Sequence, residues 1–137
     1  MATIQNSLNF LGFNVLSVVF ERPDGFMSGE FQINIEHISQ VNSENKNLIK
    51  AVFIVTVTDK TKKFNLQVKA VADFEIVGVE EPEIYNSFVH VNAPAIAYPY
   101  LRAFISNIVL QSGMAPIIIP PVNFTRPKKN IEDTTEK

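Results

Sequence analysis

The chain of 137 residues contains no cysteine and no tryptophan. Without cysteine there is no disulfide, no thiolate metal site and no cysteine nucleophile, and a reducing cytoplasm is the expected compartment. Charge is scarce and balanced. Twelve Lys and Arg stand against fourteen Asp and Glu, a formal net charge of -2, so no basic field exists to attract nucleic acid. Long apolar runs are also missing, and no stretch approaches the roughly 20 residues of a membrane span, so membrane insertion is not expected. The first twenty residues carry no Lys or Arg before Arg22, and Asn6, Asn9 and Asn14 interrupt them, which argues against a signal peptide. A Gly-x-Ser-x-Gly elbow and a Gly-rich phosphate loop are absent. The two histidines, His37 and His90, sit far apart with no ligand spacing around either. No nucleophile, base and orienting group assemble from these residues, so no catalytic site, metal or cofactor is expected. Arg102 reads as a structural partner for a backbone carbonyl or a carboxylate.

What is present is grease. Hydrophobic residues make up 46% of the chain, including eleven Phe. A chain of about one domain has a limited interior, so part of this apolar surface is expected to meet a partner. Glu30 to Glu36 alternates, with Phe31, Ile33 and Ile35 on one side, and reads as a half-buried antiparallel strand. Leu48 to Thr58 reads as another, and the polar Thr58 to Lys62 joins it to a hairpin partner. In that partner, Lys63 to Val79, the residues Phe64, Leu66, Val68, Ala70, Ala72, Phe74 and Ile76 share one face in strict period two. The first strand, Ser7 to Phe20, alternates irregularly around Leu11-Gly12, which suggests a bulge. After it the order shifts, placing Leu16, Val18 and Phe20 opposite Val15 and Val19. Glu21 to Gly25 reads as a turn and Ser39 to Asn47 as a loop.

From Ala95 to Gln111 the period becomes helical, through Ala97, Leu101, Phe104, Ile105 and Ile108. Asn92 is the expected cap and Gly113 the expected stop, and Pro99 fits if the helix begins only about one turn earlier. The far face, with Tyr98, Ile105 and Val109, is apolar too, so the helix is expected to be buried on both sides. Met114 to Phe124 is extended, held from helix or central strand by its prolines. Residues 125–137 read as a polar, disordered tail. The fold class is α+β: a four-stranded antiparallel sheet, one long helix and an extended Pro-rich segment, forming a single domain over residues 1–124.

Tyr98-Pro99-Tyr100-Leu101-Arg102 through Ile105, then Gly113, Pro116 and Pro121-Val122-Asn123-Phe124, resembles the bacterial export chaperone family SecB. Val19 to Pro23 and Phe74 to Val79 resemble the family's ends of strands one and four. The resemblance implies that two protomers join sheets and that two such dimers pack through their helices into a tetramer. It implies that unfolded polypeptide clients lie in apolar grooves, held without ATP. It also implies docking of the SecA motor on an acidic patch. Glu21 matches one such carboxylate, whereas Asn65 and Gln67 stand where the family has an apolar residue and an acid. Pro127 and the polar residues after Phe124 replace the family's second helix. A dedicated chaperone for one partner, such as an antitoxin, is therefore a second expectation.

Phe26, Met27, Phe31, Ile117, Ile118, Ile119, Val122 and Phe124 are the candidate client contacts, since gripping unfolded chain without sequence choice needs adaptable apolar surface. The alternative for Ile117 to Ile119 is that they cover the sheet edge of their own protomer. Leu66, Val68 and Ala70, with Tyr98, Leu101, Ile105 and Ile108, are the candidate oligomer interface. Their alternative is the core, and both readings bury them. Asp73 and Glu75, about 6.6 Å apart along a strand, have the spacing of some glycosidase carboxylate pairs, but a solvated strand face explains them as well. Glu80, Glu81 and Glu83 read as a solvated acidic loop.

Overall fold

The computed structural model describes residues 6–27 and 29–125. Four strands form one antiparallel sheet in the order β1-β4-β3-β2: β1 (Ser7–Glu21), β2 (Phe31–Val41), β3 (Leu48–Asp59) and β4 (Asn65–Val77). The apolar side chains of β4 stand in register with Val57, Val55, Phe53, Ala51 and Ile49 of β3 on one face of the sheet. That face carries the core, in which Phe53, Phe64, Phe74, Leu66 and Ile76 are buried almost completely. Each such side chain contributes about 1.5–3 kcal/mol by leaving water. The opposite face is mixed and open, and across it Lys50 Nζ meets Asp73 Oδ1 at 2.8 Å. This partly exposed pair is worth at most about 1 kcal/mol. It also accounts for Asp73, which answers a lysine rather than pairing with Glu75.

β1 departs from the expected alternation twice. The register against β4 slips between Phe10 and Gly12 and again between Val15 and Ser17. Each bulge inserts one residue and turns it outward, leaving Leu11 57% and Leu16 58% exposed. Leu8, Phe10, Phe13, Val15, Val18 and Phe20 thereby stay opposite the inward residues of β4. The single bulge read from Gly12 put Val15 on the wrong face, because the second bulge has no glycine to announce it. β2 runs past Glu36 to Val41 because its polar end is satisfied under the helix. The Ser39 hydroxyl donates to Val89 O at 3.0 Å and lies 3.2 Å from His37 Nε2.

The helix begins earlier than its strongest period suggested. α1 (Pro82–Ser87) leads through a π-helical turn (Phe88–Asn92) into α2 (Ala93–Gln111). Glu81 is the extended N-cap residue, Pro82 follows it, and Glu83 lies in the first turn, where a carboxylate suits the helix dipole. Asn92 is no cap: its backbone is helical, with φ -73° and ψ -44°, and its side chain accepts from Ser87. Pro94 has no N–H for His90 O and its ring crowds that carbonyl, which accounts for the wider turn just before it. Pro99 is therefore a helix-interior proline. At the other end Gly113 adopts φ +100°, the left-handed conformation that glycine takes freely. Its N–H reaches Leu110 O at 3.1 Å, and the Met114 N–H reaches Val109 O at 3.4 Å. Arg22 Nη1 donates to Ser112 O at 3.1 Å and fastens the end of β1 to this terminus.

The β3–β4 turn depends on Asp59. Its carboxylate accepts the Phe64 N–H at 3.0 Å and the Thr61 hydroxyl. The Thr61 bond, with backbone N–H groups behind it, holds the carboxyl below its usual pKa against the opposing effect of burial. A lowered folded pKa stabilises the protein above the ordinary carboxyl value of about 4, and the gain disappears as pH falls through the folded value. Asp59→Asn is accordingly expected to melt below the wild type at neutral pH, with the gap closing under acid. Melting temperatures across pH check this, and a gap constant with pH would contradict it.

Candidate functional site

One helix does not cover four strands. α2 packs on β4 and its neighbours β1 and β3, while the π-helical turn reaches β2 and β3. The start of β2 lies outside that cover, so its helix-side residues Phe31, Ile33 and Ile35 are only half-buried. From Phe31 to His37 this row is about 20 Å long, as six steps of a strand dictate.

An aromatic cluster closes each end of the row. At one end Phe20, Phe26 and Phe31 surround Phe64, with ring centroids 5.5, 5.6 and 5.0 Å from it. Gly29 lets the crossover loop close on this cluster, because a Cβ there would come within 3.2 Å of the Phe26 ring. Met27 beside it is 56% exposed. At the other end Phe124 packs edge-on against His37, Phe53 and Tyr98, at 5.4, 6.3 and 5.7 Å. His37 is thus a buried member of an aromatic box, and among the described residues no group of His, Asp or Glu is placed to hold a metal.

The extended segment 116–124 flanks the helix. The Tyr98 hydroxyl donates to Pro120 O, and Ser106 Oγ donates to Ile117 O at 2.9 Å. Burial raises the Tyr98 pKa, with the Arg102 charge opposing, so the hydroxyl keeps its proton and remains a donor. Ile117 and Ile119 turn into the core, whereas Ile118 is 68% exposed. Of the expected client contacts, Phe26, Met27 and Phe31 come together, and Val122 and Phe124 lie half-buried at the far end. Ile117 and Ile119 instead belong to their own protomer, because alternate residues of an extended segment face opposite ways. Ile33, Ile35 and His37 join this candidate row and were not among the expected contacts. Their signal was a strand with one apolar face at the sheet edge.

The expected oligomer interface needs a larger correction. Leu66, Val68, Ala70, Tyr98, Leu101 and Ile105 are buried between sheet and helix of one protomer and have no surface to offer another copy, and Ile108 is half-buried. The outward stripe of α2 is Ile96, Tyr100 and Leu110, with Tyr100 49% exposed. Phe10 and Phe13 stack on Tyr100 at 5.0 and 6.0 Å, extending that stripe toward β1. β1 is an edge strand with one side unpaired, and it displays Leu11, Leu16, Val18 and Val19. Glu21 lines a shallow concavity with Arg22, Pro23, Thr58, Lys62, Lys63 and Asn65, which brings three cations and one carboxylate to the same surface.

The family model described as preprotein translocase subunit SecB matches residues 11–127. The chain belongs to the SecB family. The protein-export protein SecB of Saccharophagus degradans is 28% identical over 113 residues, covering 77% of this chain and 67% of that protein. SecB of Hydrogenovibrio crunogenus is 30% identical over 117 residues, covering 79% and 76%. An uncharacterized protein of Methanocaldococcus jannaschii is 27% identical over 135 residues, covering 94% and 85%. Among solved structures, the SecB-like chaperone Rv1957 of Mycobacterium tuberculosis, in complex with a ChAD peptide from the HigA1 antitoxin, shares the fold. Its TM-score is 0.65 at 8% identity, over 85% of this chain and 90% of that one. SecB proteins are export chaperones, and theirs is not an enzyme family. No helix among the described residues is long and apolar enough to cross a membrane. Asn123 Oδ1 accepts the Thr125 N–H at 3.0 Å, and the expected polar tail from residue 126 onward lies outside the described residues.

Tyr98→Phe removes one of the two donors that hold the extended segment to the helix. The variant is expected to lose about 1 kcal/mol and to exchange the amides of residues 117–124 faster. Hydrogen exchange read by mass spectrometry checks this, and unchanged exchange there would contradict it.

Proposed function

We propose that this SecB-family chain is a cytoplasmic, ATP-independent holdase that binds unfolded polypeptides as a homo-oligomer. The observation that carries the reading is the half-covered row Phe31, Ile33 and Ile35, bounded by aromatic clusters, with exposed Met27 beside one of them. Such a row accepts apolar side chains of any identity in an extended chain, and methionine and aromatic rings adapt to what arrives. The grip needs no bond-making group, which suits a protein that holds rather than converts its client.

The oligomer in this reading is a dimer of dimers. The free edge of β1 is long and apolar, and an unpaired strand edge of that kind is a template for a second sheet. The outward stripe of α2 is the second surface, through which two dimers would pack. SecA docking is not part of the proposal, since the cations around Glu21 disfavour a basic partner there.

A second reading is a dedicated chaperone for one partner. The cationic surroundings of Glu21 favour it, and so does the antitoxin peptide held by the Mycobacterium tuberculosis protein of the same fold. Pull-down from cells separates the two: one stoichiometric partner supports the dedicated chaperone, and a broad spread of nascent chains supports the holdase.

The holdase reading predicts that the protein suppresses aggregation of a guanidinium-denatured test protein without nucleotide. Met27→Asp is expected to weaken that binding about fivefold without lowering the melting temperature. Full aggregation in the presence of wild-type protein would reject the reading. For assembly, Tyr100→Glu is expected to reduce the solution mass from four protomers to two, because it buries a charge in the helix stripe. Light scattering checks this, and an unchanged mass would place the dimer contact elsewhere.

A further inference from the structure

Two lysines at one end of the sheet are used neither by the fold nor by the apolar row. Among the described residues, Lys60 Nζ is spent on Glu30 at 2.6 Å and Lys50 Nζ on Asp73. Lys62 and Lys63 are exposed, line the concavity beside Glu21, and make no ion pair with a described residue. Lys62 also stands against the preference of its backbone. It holds φ +59° and is the one non-glycine residue with positive φ among those described. Glycine or asparagine takes that conformation at less cost, so the turn alone gives no reason for a lysine.

The neighbouring charges do not cancel these two. The buried Asp59 carboxylate is turned toward the Phe64 N–H and the Thr61 hydroxyl. Glu21 is one carboxylate against Lys62, Lys63 and Arg22, the last of which also gives Nη1 to Ser112 O. The concavity is therefore cationic on a chain whose formal net charge is -2.

The same end of the sheet carries one end of the apolar row. Lys63 precedes Phe64, the centre of the aromatic cluster that closes the row at Phe31. Pro23 lines the concavity, and its carbonyl accepts the Phe26 N–H at 3.0 Å in the turn that lays Phe26 on Phe64. Phe31 pairs with Asp59, the residue after Thr58 of the concavity. An extended chain advances about 3.3 Å per residue, so a few residues beyond Phe31 carry a client from the row to the lysines.

We propose that Lys62 and Lys63, with Arg22, dock an acidic stretch of the client that flanks the apolar segment held in the row. This rests on the holdase reading and adds choice to it. The row accepts apolar side chains of any identity, and the cations favour clients with Asp or Glu beside such a segment. Lysine suits the task, because a flexible point charge meets a carboxylate without fixed geometry. Exposed contacts of this kind are weak singly and screened by salt, so they select among clients more than they hold them.

The test uses the full-length protein and labelled, unstructured peptides that share one apolar core of Leu, Phe and Ser. The core is flanked at both ends by a run of Asp, of Ser or of Lys. At low ionic strength the Asp-flanked peptide is expected to bind about fivefold more tightly than the Ser-flanked one, and the Lys-flanked peptide more weakly than either. The advantage should vanish by about 0.5 M salt. Lys62→Gln combined with Lys63→Gln keeps both side-chain stems and leaves Arg22 on Ser112. It should bind the Ser-flanked peptide as wild type does and lose the preference for Asp, with melting temperature and solution mass unchanged. Equal binding of the Asp-flanked and Ser-flanked peptides by wild type would overturn this assignment and leave the holdase reading standing. A preference for Asp retained by the double variant would overturn it too, by placing the acidic stretch elsewhere. A smaller mass of the double variant would do the same, by showing that the lysines meet another copy of the chain. A wild type that binds none of the peptides would remove the holdase reading and this assignment together.

Discussion

The structure follows from a mismatch of widths. Four strands about 4.8 Å apart make a sheet about 19 Å across, and a helix with its side chains is about 10 Å wide. α2 settles over β4, where the strict alternation from Leu66 to Ile76 and the small residues Ala70 and Ala72 give it a flat apolar bed. That placement covers the middle of the sheet and leaves both margins short of cover. On the β1 side the deficit appears as an exposed apolar edge. On the β2 side it appears as the row of Phe31, Ile33 and Ile35, which ends at His37 against Phe124 of the extended segment.

That extended segment is held through side chains. Tyr98 and Ser106 take two of its carbonyls, Ile117 and Ile119 anchor it in the core, and Phe124 enters the box of His37, Phe53 and Tyr98. Its prolines remove donors that would otherwise need partners, so the segment stays extended at little cost. A margin fastened at a few points can yield where a continuous ladder would not, which suits a surface that must receive chains of varied sequence.

The fold was legible where one physical period ran without interruption. β4 and the first half of β2 alternate cleanly, and Gly113 ends the helix by the backbone conformation it permits. Legibility failed where tertiary partners decide. The second bulge of β1 carries no glycine, Ser39 extends β2 only because Val89 O lies above it, and the helix begins at Pro82, well before its clearest apolar spacing. The interface residues show the deeper limit. Periodicity identifies Leu66, Val68 and Leu101 as facing something apolar, but it does not say whether that layer is the protomer's own helix or another copy. The partner of Phe124 was hidden for a related reason, since His37 stands on a strand remote in sequence and had invited only a metal reading. The family was legible in the run from Tyr98 to Phe124, because its Pro, Gly and aromatic residues are spaced by a helix stop and an extended segment rather than by composition.

The central claim is that unfolded chain is gripped at the β2 margin, where one helix runs out of width. Hydrogen exchange of the assembled protein, with and without a saturating unfolded client, tests it most directly. The account predicts new protection in residues 31–37 and 117–124 and none on the open face of the sheet around Lys50, Lys69 and Asp73. Protection confined to that open face, with the β2 margin unaffected, would contradict it.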